Sequence, residues 1–185
     1  RVGYFTADLH DHASLFLMSG LFREHDRSRF EIFVYSYGSN KKSRLRDKTT
    51  QSIEHFFDIS NSPDREVESL VEDHKLDIAI DLKGFTKNSR INLFANRLAP
   101  VQISYLGFPG TLGTGFIDYI IADKNVIPDL HRASYVEKII FLPNSYQCND
   151  NKRVISPHTT KRSDFFLPEE SFIFCCFNSN YKIGR

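Results

Sequence analysis

The amino-acid sequence predicts an α/β protein built on a Rossmann-like, doubly wound parallel sheet. Short apolar runs alternate along the chain with stretches of helical spacing. Most runs are apolar on consecutive residues rather than on alternate ones, as strands covered on both faces require. Polar and glycine-bearing loops follow several of the runs, where an open sheet of this class places its ligands.

Taken in order, Val2–Thr6 reads as the first strand. A helix follows, with Leu15, Met18 and Phe22 on one line and Leu17 and Leu21 beside it. Residues 30–37 are rich in β-branched and aromatic residues and stop at Gly38-Ser39-Asn40. Residues 41–54 are charged and predicted helical, and 55–59 form another strand. Ser62-Pro63-Asp64 opens the next helix, with the serine as cap, proline in the first turn and an acid at the positive end. Val67, Leu70, Val71 and His74 mark its inner face. Strands at 77–82 and 101–106 flank a helix at 89–98, and apolar runs at 116–122 and 138–142 add two more strands.

The polar stretch 143–168 has little apolar periodicity and reads as a connector. Residues 171–178 then read as the first strand of a second unit. The predicted organisation is 1–143 as the Rossmann-like half, 144–170 as connector and 171–185 as the start of a truncated second half.

Composition excludes several function classes. A formal net charge of +1 offers no basis for wholesale neutralisation of nucleic acid or of an anionic membrane. The apolar runs fall well short of the roughly 20 residues of a membrane span. The first residues read as a strand rather than a signal peptide. Cys148, Cys175 and Cys176 form no disulfide framework, and the adjacent pair is expected in a core, so the chain is expected to be cytoplasmic.

Four constellations can carry chemistry. Asp8-Leu9-His10-Asp11-His12 joins the first strand to the first helix, the ligand loop of a doubly wound fold. A histidine there can act as general base or orient a hydroxyl, its ordinary pKa lying near 6.5. The same residues can instead ligate zinc or iron, or form a solvated loop in which Asp11 caps the helix. His12 is taken as functional and Asp11 as the cap. No second dense cluster completes a metal shell, and His25, His55, His74, His131 and His158 stand singly.

Asp81-Leu82-Lys83-Gly84-Phe85-Thr86-Lys87 follows a strand as either a ligand loop or a plain turn with solvated lysines. Gly107-Phe108-Pro109-Gly110-Thr111-Leu112-Gly113-Thr114-Gly115 can cradle an anion or an acetamido group, although it has neither P-loop nor dinucleotide-binding order. Finally, Phe177-Asn178-Ser179-Asn180-Tyr181-Lys182-Ile183 follows an apolar run. A lysine at a strand end there can meet a diphosphate as a point charge. The chain closes three residues later, which reads as the front part of a larger enzyme.

In that order these pieces resemble the O-linked N-acetylglucosamine transferase family with its SPINDLY-like proteins, bacterial members most of all. The matching stretches are Arg1-Val2-Gly3-Tyr4 through Asp8 and His12, Asp81-Leu82-Lys83-Gly84-Phe85-Thr86, and Ala99-Pro100-Val101-Gln102. They continue with Leu106-Gly107-Phe108-Pro109-Gly110-Thr111, Asp118-Tyr119-Ile120-Ile121-Ala122-Asp123, Tyr135-x-Glu137-Lys138, and Phe177-Asn178 with Tyr181-Lys182-Ile183.

The resemblance implies the amino-terminal half of a two-lobed GT-B enzyme. Such an enzyme transfers N-acetylglucosamine from UDP-GlcNAc to Ser or Thr of proteins, inverting and without a metal or other cofactor. GDP-fucose and hexose donors occur among relatives. The resemblance further implies a missing carboxyl-terminal half, helical repeats that recruit the acceptor, and a fragment inactive on its own. It matches His12 to the active-site histidine near the acceptor, a proposed general base. Lys182 matches the lysine that neutralises the donor diphosphate, and Tyr181, with Ser179, the nucleotide site; Thr111 belongs to the glycine-rich donor loop. Two other readings stay open on the residues alone: a metal-dependent hydrolase on Asp8, His10, Asp11 and His12, and a non-catalytic protein-binding module.

Overall fold

The computed structural model describes residues 1–178. It divides into two compact units, 1–152 and a small one beginning at Arg153.

The first unit is a seven-stranded sheet in which every paired neighbour is parallel: β1 (Val2–Thr6), β2 (Ile32–Ser36), β3 (His55–Asp58), β4 (Ile78–Asp81), β5 (Val101–Ser104), β6 (Tyr119–Ala122) and β7 (Lys138–Phe141). The spatial order is β3-β2-β1-β4-β5-β6-β7, so the chain reverses direction across the sheet between β1 and β4. That reversal is the topological switch point, where open α/β sheets bind ligands beyond the strands' carboxyl ends. All seven strands lie within the runs the sequence marks.

Both faces are covered. Tyr4, Val34, Ile80 and Ile103 pack against α1 (Ala13–Glu24) through Leu15, Met18 and Phe22. Phe5, Phe33, Tyr35 and Ala79 face the other way, toward Val67 and Val71 of α3 (Asp64–His74). Consecutive residues of one strand therefore enter different cores, which is why the strand runs are continuously apolar. His25 and His74 serve these cores by pairing with the Tyr4 and Tyr35 hydroxyls at 2.9 and 2.7 Å.

Several local expectations change. The helix expected over 41–54 is confined to α2 (Arg44–Gln51), capped by Ser43. Pro63 itself occupies the N-cap of α3, and no side chain caps it. The helix expected over 89–98 is a 3₁₀ segment, Ile91–Asn96, bracketed by left-handed Asn88 and Arg97. Its end is closed by the buried amide of Gln102, which donates to the Phe94 and Phe116 carbonyls and accepts from Leu98 N.

Part of the expected connector also packs on the first unit. The Tyr146 amide donates to Asp123 and its carbonyl accepts from Tyr105, while Asp150 pairs with Arg23 at 2.7 Å. Arg23 accordingly pulls the Asp150 carboxyl down to about 2.

In the second unit, residues 171–178 form no strand, and Phe172, Phe174, Cys175, Cys176 and Phe177 are exposed. The expected buried strand and buried cysteine pair are thus absent among the described residues, because no neighbouring strand pairs with this backbone.

Candidate functional site

The carboxyl ends of β1 and β4 deliver two charged side chains to one point. Asp8 leaves β1, Lys83 leaves β4, and Lys83 Nζ meets Asp8 Oδ2 at 2.7 Å. The two side chains are only 9% and 5% exposed, so neither expects company from water. The reading of Lys83 as a solvated lysine in a plain turn fails on this contact. A charged pair withdrawn from water persists only when each partner has the other.

The turn carrying Lys83 is built around Asp81, whose carboxylate accepts from Lys83 N at 3.1 Å and Gly84 N at 2.6 Å. Gly84 sits at φ +53°, and its missing Cβ leaves room for Phe108. Burial pushes the Asp81 carboxyl up to about 6, against the pull of the two amides and Lys83.

His12 is the N-cap of α1. Its Nδ1 accepts from Ser14 N at 3.2 Å and lies 3.5 Å from Asp8 Oδ2. Asp11, expected as the cap, is exposed and lines a cleft of about 390 Å³ with His10, Ser39, Lys41, Lys42 and Ser43. The wall toward α2 is latched by buried Arg46, which bonds the Leu9 carbonyl and donates to Asn40 Oδ1 at 2.9 Å. A larger cleft of about 550 Å³ lies beside Leu76 and Pro100, ahead of β4 and β5, at the amino-terminal end of the strands and away from these groups.

The glycine-rich loop follows β5. Gly107 lets it pass directly over Leu82, since a Cβ there would sit 2.1 Å from the Leu82 carbonyl oxygen. Its middle is fastened by buried Glu137, which accepts from the Thr111 hydroxyl and from Leu112 N, each at 2.6 Å. Thr111 Oγ1 also accepts from Gly113 N at 3.1 Å. The Thr111 hydroxyl is thus spent on bracing its own loop, and Tyr135 adds a bond from its hydroxyl to the Pro109 carbonyl.

Among the described residues no three His, Cys, Asp or Glu side chains converge in a group able to hold a metal ion. The Asp8, His10, Asp11 and His12 set does not qualify, because Asp8 is already committed to an ammonium. Ser179, Tyr181 and Lys182 lie outside the described residues.

Sequence reasoning missed the Asp8–Lys83 pair, Arg46 and the bracing role of Glu137. The first was within reach. A strand order that puts β1 beside β4 also puts the residues just past their ends side by side, 75 positions apart in the chain.

Residues 1–163 match the family model for glycosyl transferase family 41. The chain is 39% identical over 188 aligned residues to the probable UDP-N-acetylglucosamine–peptide N-acetylglucosaminyltransferase SEC of Arabidopsis thaliana, covering 99% of this chain and 19% of that one. It is 34% identical over 163 residues to the UDP-N-acetylglucosamine–peptide N-acetylglucosaminyltransferase of Caenorhabditis elegans, covering 87% of this chain and 14% of the relative. A solved mutant O-GlcNAc transferase of Thermobaculum terrenum superposes with TM-score 0.76 and 28% identity, over 80% of this chain and 28% of that one. The chain therefore spans a fifth or less of the curated relatives just named.

Proposed function

Because this chain belongs to glycosyl transferase family 41, we propose that it is the amino-terminal Rossmann-like half of a protein O-glycosyltransferase. In this reading the enzyme transfers N-acetylglucosamine from UDP-GlcNAc to Ser or Thr of acceptor proteins, inverting the anomeric carbon without a metal. The observation that carries the proposal is the match along 99% of the chain to a peptide N-acetylglucosaminyltransferase.

The geometry supports a division of labour. The β1–α1 loop with His12 borders the acceptor. The loop of residues 107–115, stiffened by Glu137 through Thr111 and Leu112, presents backbone to the donor. Lys182 neutralises the diphosphate as the leaving group departs, and Tyr181 and Ser179 contact the nucleotide. Residues 171–185 lead into the second half, and the acceptor is recruited by helical repeats elsewhere in the protein.

The test is calorimetric titration of UDP, UDP-GlcNAc and GDP into the full-length protein, paired with a sugar-transfer assay in chelator. UDP-GlcNAc binding that Lys182→Ala weakens, with transfer unaffected by chelation, is expected. A folded protein that binds no nucleotide overturns the proposal.

A further inference from the structure

Three groups crowd one oxygen of Asp8, and His12 has the weakest claim on it. Asp8 Oδ2 lies 2.7 Å from Lys83 Nζ, 3.4 Å from Ser14 Oγ and 3.5 Å from His12 Nδ1. The ammonium contact is a full charge-assisted hydrogen bond, whereas the imidazole contact is too long to count as one.

His12 Nδ1 instead lies 3.2 Å from both Ser14 Oγ, a hydroxyl able to donate or accept, and Ser14 N. A backbone N–H only donates, so Nδ1 must supply a lone pair. A neutral imidazole that accepts at Nδ1 carries its proton on Nε2. Among the described residues no group hydrogen-bonds Nε2, and the side chain is 44% exposed.

We propose that Lys83 is a positioning residue for His12. By holding Asp8 it leaves Nδ1 to the helix cap and makes the exposed edge of the ring an Nε2–H donor rather than a proton acceptor. Its ligand is an oxygen lone pair, and in the glycosyltransferase reading, on which this part rests, that oxygen belongs to the donor diphosphate or to a sugar or acceptor hydroxyl.

Without Lys83, Asp8 has a carboxylate to satisfy and one titratable neighbour in reach. The Nδ1–H tautomer would then bond Asp8, the cap to Ser14 N would be lost, and Nε2 would become a base. The other titratable groups at the site, His10 with its ring 5.6 Å away and Asp11, Lys41 and Lys42 along the cleft, make no hydrogen bond to Nδ1.

The experiment is ¹⁵N-histidine NMR of the full-length protein, with His12 assigned by its loss in His12→Gln. In the wild type the neutral His12 ring is expected to be protonated at Nε2. Lys83→Met should shift the Nδ1–H to Nε2–H ratio at least tenfold toward Nδ1, and Lys83→Arg should leave it near the wild-type value. A wild-type ring protonated at Nδ1 overturns the proposal, as does a folded Lys83→Met protein with an unchanged ratio.

Activity gives a second test that does not need Lys83→Met to fold. His12→Gln, which places an amide N–H₂ near Nε2 but cannot act as a base, should keep transfer within about tenfold of wild type. His12→Ala should lose roughly 10²-fold. A His12→Gln loss as deep as that of His12→Ala overturns the donor role. A shift confined to donor affinity assigns the oxygen to the donor, and one confined to the acceptor KM assigns it to the acceptor. A wild type that transfers no sugar refutes the proposed function, while the tautomer measurement still decides the role of Lys83.

Discussion

Glu137 holds the glycine-rich loop by two short bonds, and removing them should release that loop alone. In Glu137→Ala, Leu112 N loses a buried charge-assisted bond with nothing to replace it. Orphaning a buried donor costs about 1–3 kcal/mol, and a hydrogen bond to a charged group contributes about 1.5–3 kcal/mol. Thr111, part-buried, can turn its hydroxyl to water, so its bond adds little. The carboxylate also takes its own desolvation cost with it. The net is about 3 kcal/mol, close to a 10²-fold change in a local opening equilibrium.

Hydrogen exchange read by mass spectrometry on peptides spanning residues 107–115 is the direct assay. Protection there should fall about 10²-fold in Glu137→Ala, with the strands of the sheet unchanged. Glu137→Gln keeps an oxygen for Leu112 N and should fall by no more than about tenfold. Unchanged protection in Glu137→Ala, or equal losses in the two variants, would refute the assignment of Glu137 as the fastener.

Two further outcomes follow from the same geometry. Gly107→Ala places a methyl 2.1 Å from the Leu82 carbonyl oxygen, where only backbone can yield. It should cost about 3 kcal/mol or more and lower Tm by at least about 6 °C in a scanning experiment. Gly115→Ala, with nothing within 4 Å of the new atom, should stay within about 0.5 kcal/mol. For Asp81, burial raises the folded carboxyl from 3.8 to about 6, so the folded state holds this proton more tightly than the unfolded chain. Its contribution to stability is full below pH 4 and is lost as pH rises through 6, amounting to about 3 kcal/mol. Urea unfolding of wild type minus Asp81→Asn should therefore decline by about that amount from pH 4 to pH 7, and a flat difference would contradict it.

What could be read from the chain was whatever is local. The seven strands announced themselves because a doubly covered strand must be apolar on consecutive residues, and β1 and β2 are buried at every position. The α1 face was legible because Leu15, Met18 and Phe22 recur at helical spacing and are all buried. Motif order carried the family, since every quoted stretch but the last falls within the residues 1–163 that the family model matches.

Short-range rules misled where a distant group decides the local outcome. Gln102 closes the segment at 91–96 from eight residues beyond Phe94, and His12 rather than Asp11 caps α1 because its ring reaches the Ser14 amide. The run at 172–176 is apolar enough for a strand but finds no partner to pair with among the described residues.

By itself, then, the sequence determined the strand and helix periodicities, the sheet class and the family. Only the tertiary structure decided which charges meet. Asp8 with Lys83 and Thr111 with Glu137 join positions 75 and 26 residues apart. Whether such a side chain is a ligand, a base or a brace depends on what the folded neighbours have already claimed from it, and that is set by the order of strands in space.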